Sequence, residues 1–257
     1  MEIEGRRILL TGATGGLGSA IAVDLSQRGA ELVLSGRRTE ELESLASRTG
    51  GTVLTADLAT ADGLEALCEA ASDVDVVVAN AGIGGDVSIE AMGPDDIDVV
   101  IDVNLRGPIH LATRFAQARI ERYQQGAIVF VGSLAGLAAS PNSRMYNATK
   151  FGLRGFALAM REDLAPYGIG VGIVEPGFIR EAGMFAESGM ELPAGVRTKT
   201  APDVARGVAE AIEHDRGEVF VAPLELRLAA TFASVAPGVS AWVQRRVGAA
   251  DITADRN

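Results

Sequence analysis

The chain alternates short, continuously apolar runs with longer segments that are apolar along one side only. The runs are 7–11 (RILLT), 31–36 (ELVLSG), 52–58 (TVLTADL), 73–80 (DVDVVVAN), 127–133 (AIVFVGS), 168–177 (GIGVGIVEPG) and 217–223 (GEVFVAP). Their length and Val/Ile/Leu content predict strands, and the three successive valines of 73–80 favour a position buried on both faces. Between them, helical spacing predicts a helix that follows the first run and ends near Gly29, then helices over RTEELESLASRTG and GLEALCEAA. A long helix starts at Pro94, whose missing amide proton is harmless in a first turn. Further helices start at Tyr146, reaching about Tyr167, and span 202–215. This alternation predicts a single α/β domain over 1–257 with its core in 5–223: a doubly wound parallel sheet of about seven strands, helices on both faces, and ligand sites at the carboxyl ends of the strands.

Two regions fall outside that rhythm. Residues 134–145 and 178–200 follow the fifth and sixth strands and are read as the substrate pocket and its flap. The flap mixes Phe178, Met184, Phe185 and Met190 with glycines, which suits a mobile cover over an apolar substrate. Leu137, Met145 and Phe178 are the expected pocket walls. In the tail, 224–257, Leu224, Leu228, Phe232 and Val235 recur at helical spacing, followed by Val239, Val243 and Val247. An amphipathic pair of helices broken at Pro237–Gly238 is expected to pack over the protein's own pocket. Trp242, Arg245 and Arg246 also suit a membrane surface or a second subunit.

Composition narrows the partners. With 23 basic and 34 acidic residues the formal charge is −11, which repels nucleic acid in bulk. The single cysteine, Cys68, lies in a helical pattern and reads as a small buried apolar side chain, so no disulfide framework exists. His110 and His214 are isolated and lack metal-ligand spacing, and no metal site is expected. The N-terminus lacks the apolar stretch of a signal peptide, and no apolar run approaches membrane-spanning length, so the expected location is cytoplasmic.

The candidate chemistry begins at TGATGGLG, where Gly12, Gly16 and Gly18 follow a strand and open a helix. Missing side chains let a pyrophosphate approach the backbone, and a helix N-terminus offers unpaired amides and a positive dipole end. This Rossmann-like context favours dinucleotide binding, and no Gly-Lys-Ser/Thr follows to make a P-loop. At the end of the second strand, an acidic residue favours a free ribose 2′-hydroxyl and an arginine favours a 2′-phosphate. Gly36, Arg37 and Arg38 stand there, which selects NADP over NAD, with Arg37 the better placed and Arg38 the plausible opening charge of the next helix. Tyr146 and Lys150 lie four residues apart on one helix face, in a chain with three tyrosines and two lysines, and can converge on one ligand.

With the glycine turn, Asn80–Ala81–Gly82, Ser133 and the Tyr-x-x-x-Lys together, the sequence resembles the classical short-chain dehydrogenase/reductase (SDR) family over roughly residues 5–223. The resemblance implies an NADP(H)-dependent oxidoreductase acting on a small to medium, partly apolar alcohol or carbonyl substrate, working as a homo-oligomer. It implies catalytic roles for Asn104 (holding a water beside the lysine), Ser133 (orienting substrate), Tyr146 (acid–base) and Lys150 (contacting the nicotinamide ribose). It also implies cofactor contacts at Gly12, Thr14, Gly16, Leu17, Gly18, Arg37, Arg38, Asp57, Leu58, Asn80, Ala81, Gly82, Tyr146, Lys150, Pro176 and Gly177. Three features depart from the family pattern: Glu181 replaces a common threonine, Gly15 a basic residue of some NADP-preferring relatives, and the usual aspartate–glycine–glycine ending is missing. The alternative is a nucleotide-binding sensor or scaffold on the same fold. A sugar-nucleotide epimerase lacks room for its substrate domain, and a serine hydrolase lacks the Gly-x-Ser-x-Gly elbow around Ser133. If Arg37 reads a 2′-phosphate, Arg37→Ala lowers the NADPH-over-NADH preference in kcat/KM by about tenfold or more; an unchanged ratio removes Arg37 from that role.

Overall fold

Seven strands form one sheet in the order β3-β2-β1-β4-β5-β6-β7, every neighbouring pair parallel. They are β1 (Arg7–Leu10), β2 (Glu31–Gly36), β3 (Thr52–Thr55), β4 (Val76–Ala79), β5 (Gly126–Val131), β6 (Ile169–Pro176) and β7 (Glu218–Val221). The computed structural model describes residues 1–84, 88–180 and 197–246. The chain winds outward from β1 to β3, crosses to β4 on the other side of β1, and winds on to β7. The reversal between β1 and β4 opens the crevice in which such sheets hold ligands.

Alternate residues of each strand serve opposite layers, as a period of two requires. Ile8, Leu10, Val76, Val78, Val129 and Val174 pack on α1 (Gly16–Gln27), α2 (Thr39–Thr49) and α7 (Ala201–His214). Leu9, Val77, Ile128, Phe130 and Ile173 pack on α3 (Ala61–Ala71), α5 (Gly107–Glu121) and α6 (Arg144–Leu164). Phe115 of α5 fills the space over Gly126, where a Cβ would lie 2.6 Å from its ring. Cys68 is buried, and its thiol is pushed up by that burial. Among the described residues no helix is long and apolar enough to cross a membrane, and no group of His, Cys, Asp and Glu could hold a metal.

The predicted elements are present, with boundaries shifted for identifiable reasons. β3 stops at Thr55, short of 58, because the Asp57 carboxylate accepts from Ala59 N–H at 2.9 Å and turns the chain toward the Thr60 cap of α3. β4 starts at Val76 rather than 73, since Asp73 and Asp75 are occupied by Arg7. The long helix from Pro94 is divided into α4 (Pro94–Ile101), a π-helical turn (Asp102–Arg106) and α5. The Tyr146 helix begins one half-turn early, at Arg144.

The tail departs most from expectation. It forms α8 (Leu224–Val235) and α9 (Pro237–Arg246), but Leu224, Leu228, Phe232, Val235, Val239 and Trp242 are all exposed. The buried residues of α8 are the small Ala230 and Ala233, and the apolar stripe faces outward. Val247 and Glu181, with Met184, Phe185 and Met190 of the flap, lie outside the described residues. Because the Phe115 ring is fully buried, Phe115→Ala should cost about 3–5 kcal/mol of stability in urea denaturation. A loss below about 1 kcal/mol would contradict the packing described.

Candidate active site

At the end of β1 the chain must turn sharply against the end of β4. Gly12 takes φ +64°, and a Cβ there would lie 2.7 Å from the Ala81 Cα, so the two turns touch backbone to backbone. Asn80 staples them: its amide donates to the Thr11 and Gly12 carbonyls at 3.0 and 3.1 Å, while Thr11 Oγ1 accepts from the Asn80 and Ala81 N–H groups. Gly18 lies so close to the Gly12 carbonyl that no side chain fits. The helix α1 opens at Gly16 with no side chain capping its first amides. These uncapped N–H groups, with Gly16 exposed and Thr14 and Leu17 half-buried, form a cradle that fits an anionic pyrophosphate.

Of the two arginines at the end of β2, Arg38 is the N-cap residue of α2 and pairs with Glu41 at 3.0 Å, as a charge opening that helix does. Arg38 bends back onto the glycine turn, where Nη2 donates to the Thr14 carbonyl at 2.9 Å and contacts its hydroxyl at 3.1 Å. Arg37 leans toward Asp57, Nη1 to Oδ2 3.9 Å. Both side chains are exposed. Leu58 is buried in the core, so any cofactor contact there falls to its backbone.

The catalytic candidates converge where β5 ends. The helix α6 lies against that strand end, and Lys150 reaches in from it: its buried ammonium donates to the Val131 carbonyl at 2.8 Å and sits 5.7 Å from the centre of the Tyr146 ring. The Tyr146 hydroxyl is hydrogen-bonded to Ser133. Burial pushes the Tyr146 phenol up to about 12, an effect that the Ser133 bond opposes and the Glu175 carboxylate reinforces. Burial also brings Lys150 down to about 8, against the pull of Glu175. Gly82, at the end of the stapled β4 turn, faces both Lys150 Nζ and Asn104 Oδ1, so the catalytic cluster and the glycine cradle share a border.

The model of the short chain dehydrogenase family matches residues 6–192. The chain belongs to the short-chain dehydrogenase family. Nodulation protein G of Rhizobium meliloti (strain 1021) is 38% identical over 187 residues, 70% of this chain and 76% of that protein. The 3-oxoacyl-[acyl-carrier-protein] reductase FabG of Rickettsia prowazekii is 35% identical over 182 residues, 70% of this chain and 75% of the relative. Among solved structures, the 3-ketoacyl-(acyl-carrier-protein) reductase from Brucella melitensis complexed with NADH superposes with a TM-score of 0.75 at 27% identity, covering 85% of this chain and 97% of that one.

In this short-chain dehydrogenase the remaining candidates take definite places. The Asn104 side chain, buried in the π-turn, accepts from Ile83 N–H at 2.8 Å and donates to the Ile83 carbonyl and Thr149. One amide proton thus goes to the loop after β4 and the other to Thr149 on α6, so the side chain clamps that loop against the helix. Pro176 is buried at the end of β6, and Gly177 continues onto β7 through its N–H to the Val221 carbonyl. Of the expected pocket walls, Leu137 is buried, Met145 half-buried and Phe178 exposed. Phe178 and Arg180 bond to Lys199 through their backbones, so the two ends of the flap are joined at its base.

Two residues that hold the site were not singled out from the sequence. Asn147, next to Tyr146, donates to the Ala135 and Ala138 carbonyls and accepts from Ser140, fixing the loop after Ser133. Glu175, fully buried on β6, accepts the Ser133 N–H at 2.5 Å. The signal for Glu175 was available: a carboxylate inside an otherwise apolar strand, immediately before Pro176. A Cβ on Gly132 would lie 2.5 Å from Glu175 Oε2, so Gly132→Ala should lose about 1–3 kcal/mol in urea denaturation. Gly155→Ala, which meets open space on α6, should gain up to about 1 kcal/mol. Equal stabilities for the two variants would contradict the crowding at Gly132.

Proposed function

We propose that this short-chain dehydrogenase is an NADP(H)-dependent oxidoreductase that interconverts an alcohol with a ketone or aldehyde of small to medium, partly apolar type. The observation that carries the reading is the convergence of Ser133, Tyr146 and Lys150 at the end of β5, bordering the uncapped glycine cradle. When bound, the nicotinamide cofactor supplies or accepts the hydride.

The residues handle the proton. In the reductive direction Ser133 and Tyr146 direct their hydroxyls at the substrate carbonyl oxygen, and Tyr146 gives up its proton as negative charge develops there. Burial makes the Tyr146 phenol a firm proton holder, so the phenolate left behind needs a positive neighbour. The Lys150 ammonium supplies it, held in place by the Val131 carbonyl. In the oxidative direction the same groups act in reverse, with Tyr146 removing the hydroxyl proton. Mere cofactor binding would not require this set, which argues against the sensor or scaffold alternative.

NADP preference is supported by Arg37 and Arg38, two planar cations at the strand end where a carboxylate would repel a 2′-phosphate. The NADH complex of the Brucella reductase leaves the choice to these side chains rather than to the fold. The two reductases that act on 3-oxoacyl carriers support including 3-oxoacyl thioesters among the carbonyl substrates to be tried. A panel of ketones, aldehydes and 3-oxoacyl thioesters, followed through NADPH absorbance and repeated with NADH, tests the class. On the best substrate Tyr146→Phe should lower kcat by about 10²–10⁴-fold, with NADPH binding unchanged. A variant that turns over at the normal rate would remove Tyr146 from the acid–base role.

A further inference from the structure

Glu175 is the only acidic side chain among the described residues that is fully buried. It lies on β6 in the layer served by Ile173, where a Val or Ile would extend the core. Its two oxygens are treated differently. Oε2 accepts the Ser133 N–H at 2.5 Å, whereas Oε1 has no hydrogen-bond partner and lies 3.9 Å from Arg154 Nε. Arg154 is itself held by Glu218 at 2.8 Å. Gly132, lacking a Cβ, leaves the space that the carboxyl occupies.

On the other side of the same stretch, the Lys150 ammonium grips the Val131 carbonyl. Residues 131–133 are therefore held between a buried acid and a buried base, and they end in the serine that touches Tyr146. The charged and titratable groups around the carboxyl are Tyr146, Lys150 and Arg154 from α6 and Glu218 from β7. We propose that Glu175 is a positioning residue of the catalytic centre: its carboxyl anchors the Ser133 backbone and, once ionised, is the buried counter-charge of the Lys150 ammonium.

The physical basis is mutual. Burial drives Glu175 and Lys150 each toward its neutral form, and each charge favours the other. As pH rises and Glu175 ionises, its negative charge holds the proton on Lys150 and on Tyr146 to higher pH. Replacing the carboxylate by a neutral group must therefore release those protons at lower pH. The consequence for catalysis rests on the acid–base roles proposed for Tyr146 and Lys150, but the titration itself needs no turnover.

The chain contains only two lysines, Lys150 and Lys199, so protein labelled with [¹³C]lysine reports the site directly by NMR. In Glu175→Gln, which keeps an acceptor oxygen for Ser133, the Lys150 resonance should titrate about one pH unit or more below its wild-type position. Lys199, on the flap base, should stay in place as an internal control. Coincident Lys150 titrations in the two proteins would overturn the proposal. If the variant does not fold, wild-type protein labelled with [¹³C-carboxyl]glutamate decides it: one carboxyl should titrate far above the ordinary range, and a set confined to that range would overturn it. Loss of turnover in Tyr146→Phe bears on the function, and neither NMR result depends on it.

Discussion

The hydrogen bond from the Lys150 ammonium to the Val131 carbonyl ties α6 to the end of β5 at the point where the chemistry is assembled. A lysine ammonium in this apolar layer needs an acceptor and is favoured by a counter-charge; the strand end provides the first, and Glu175, its own carboxyl pushed up to about 8 by burial, provides the second as it ionises. Tyr146 then follows from helix geometry, since it lies one turn before Lys150 on the same face. Ser133 follows from strand geometry, two residues past Val131. A tyrosine–lysine pair on one helix and a strand-end serine thus meet because one buried cation fixes the distance between α6 and β5.

The sheet supplies the larger frame. Its parallel strands end along one edge, and the reversal of winding between β1 and β4 leaves room there for a nucleotide. Asn80 and Thr11 lock the two turns at that reversal, and Gly82 hands the border over to Lys150 and Asn104. The π-turn in the long central helix places Asn104 where it can clamp the loop after β4. Anion cradle and proton-handling cluster are therefore one continuous surface.

The central strands were legible because doubly buried parallel strands read as unbroken apolar runs, the exposed edge strand β3 because of its place in the alternation, and the glycine turn because its backbone contacts admit no side chains. The Tyr146–Lys150 pair was legible from helical spacing. What sequence spacing did not reveal depends on partners far apart in the chain. The direction taken by Arg38 is set by the Thr14 carbonyl, and the place of Glu175 by Ser133 and Gly132. The tail illustrates the same limit: its apolar stripe was visible, but packing uses Ala230 and Ala233 and turns the stripe outward. Periodicity identifies a face without saying which neighbour receives it.

In the proposed reaction a hydride passes at carbon while Tyr146 and its partners pass a proton at oxygen. The most direct measurement is the fate of hydrogen in reduction with NADPH deuterated at the transferring nicotinamide carbon, in ordinary water. The proposed reaction yields an alcohol carrying deuterium on the new carbinol carbon and exchangeable solvent hydrogen on oxygen. A carbinol hydrogen drawn from solvent would contradict it.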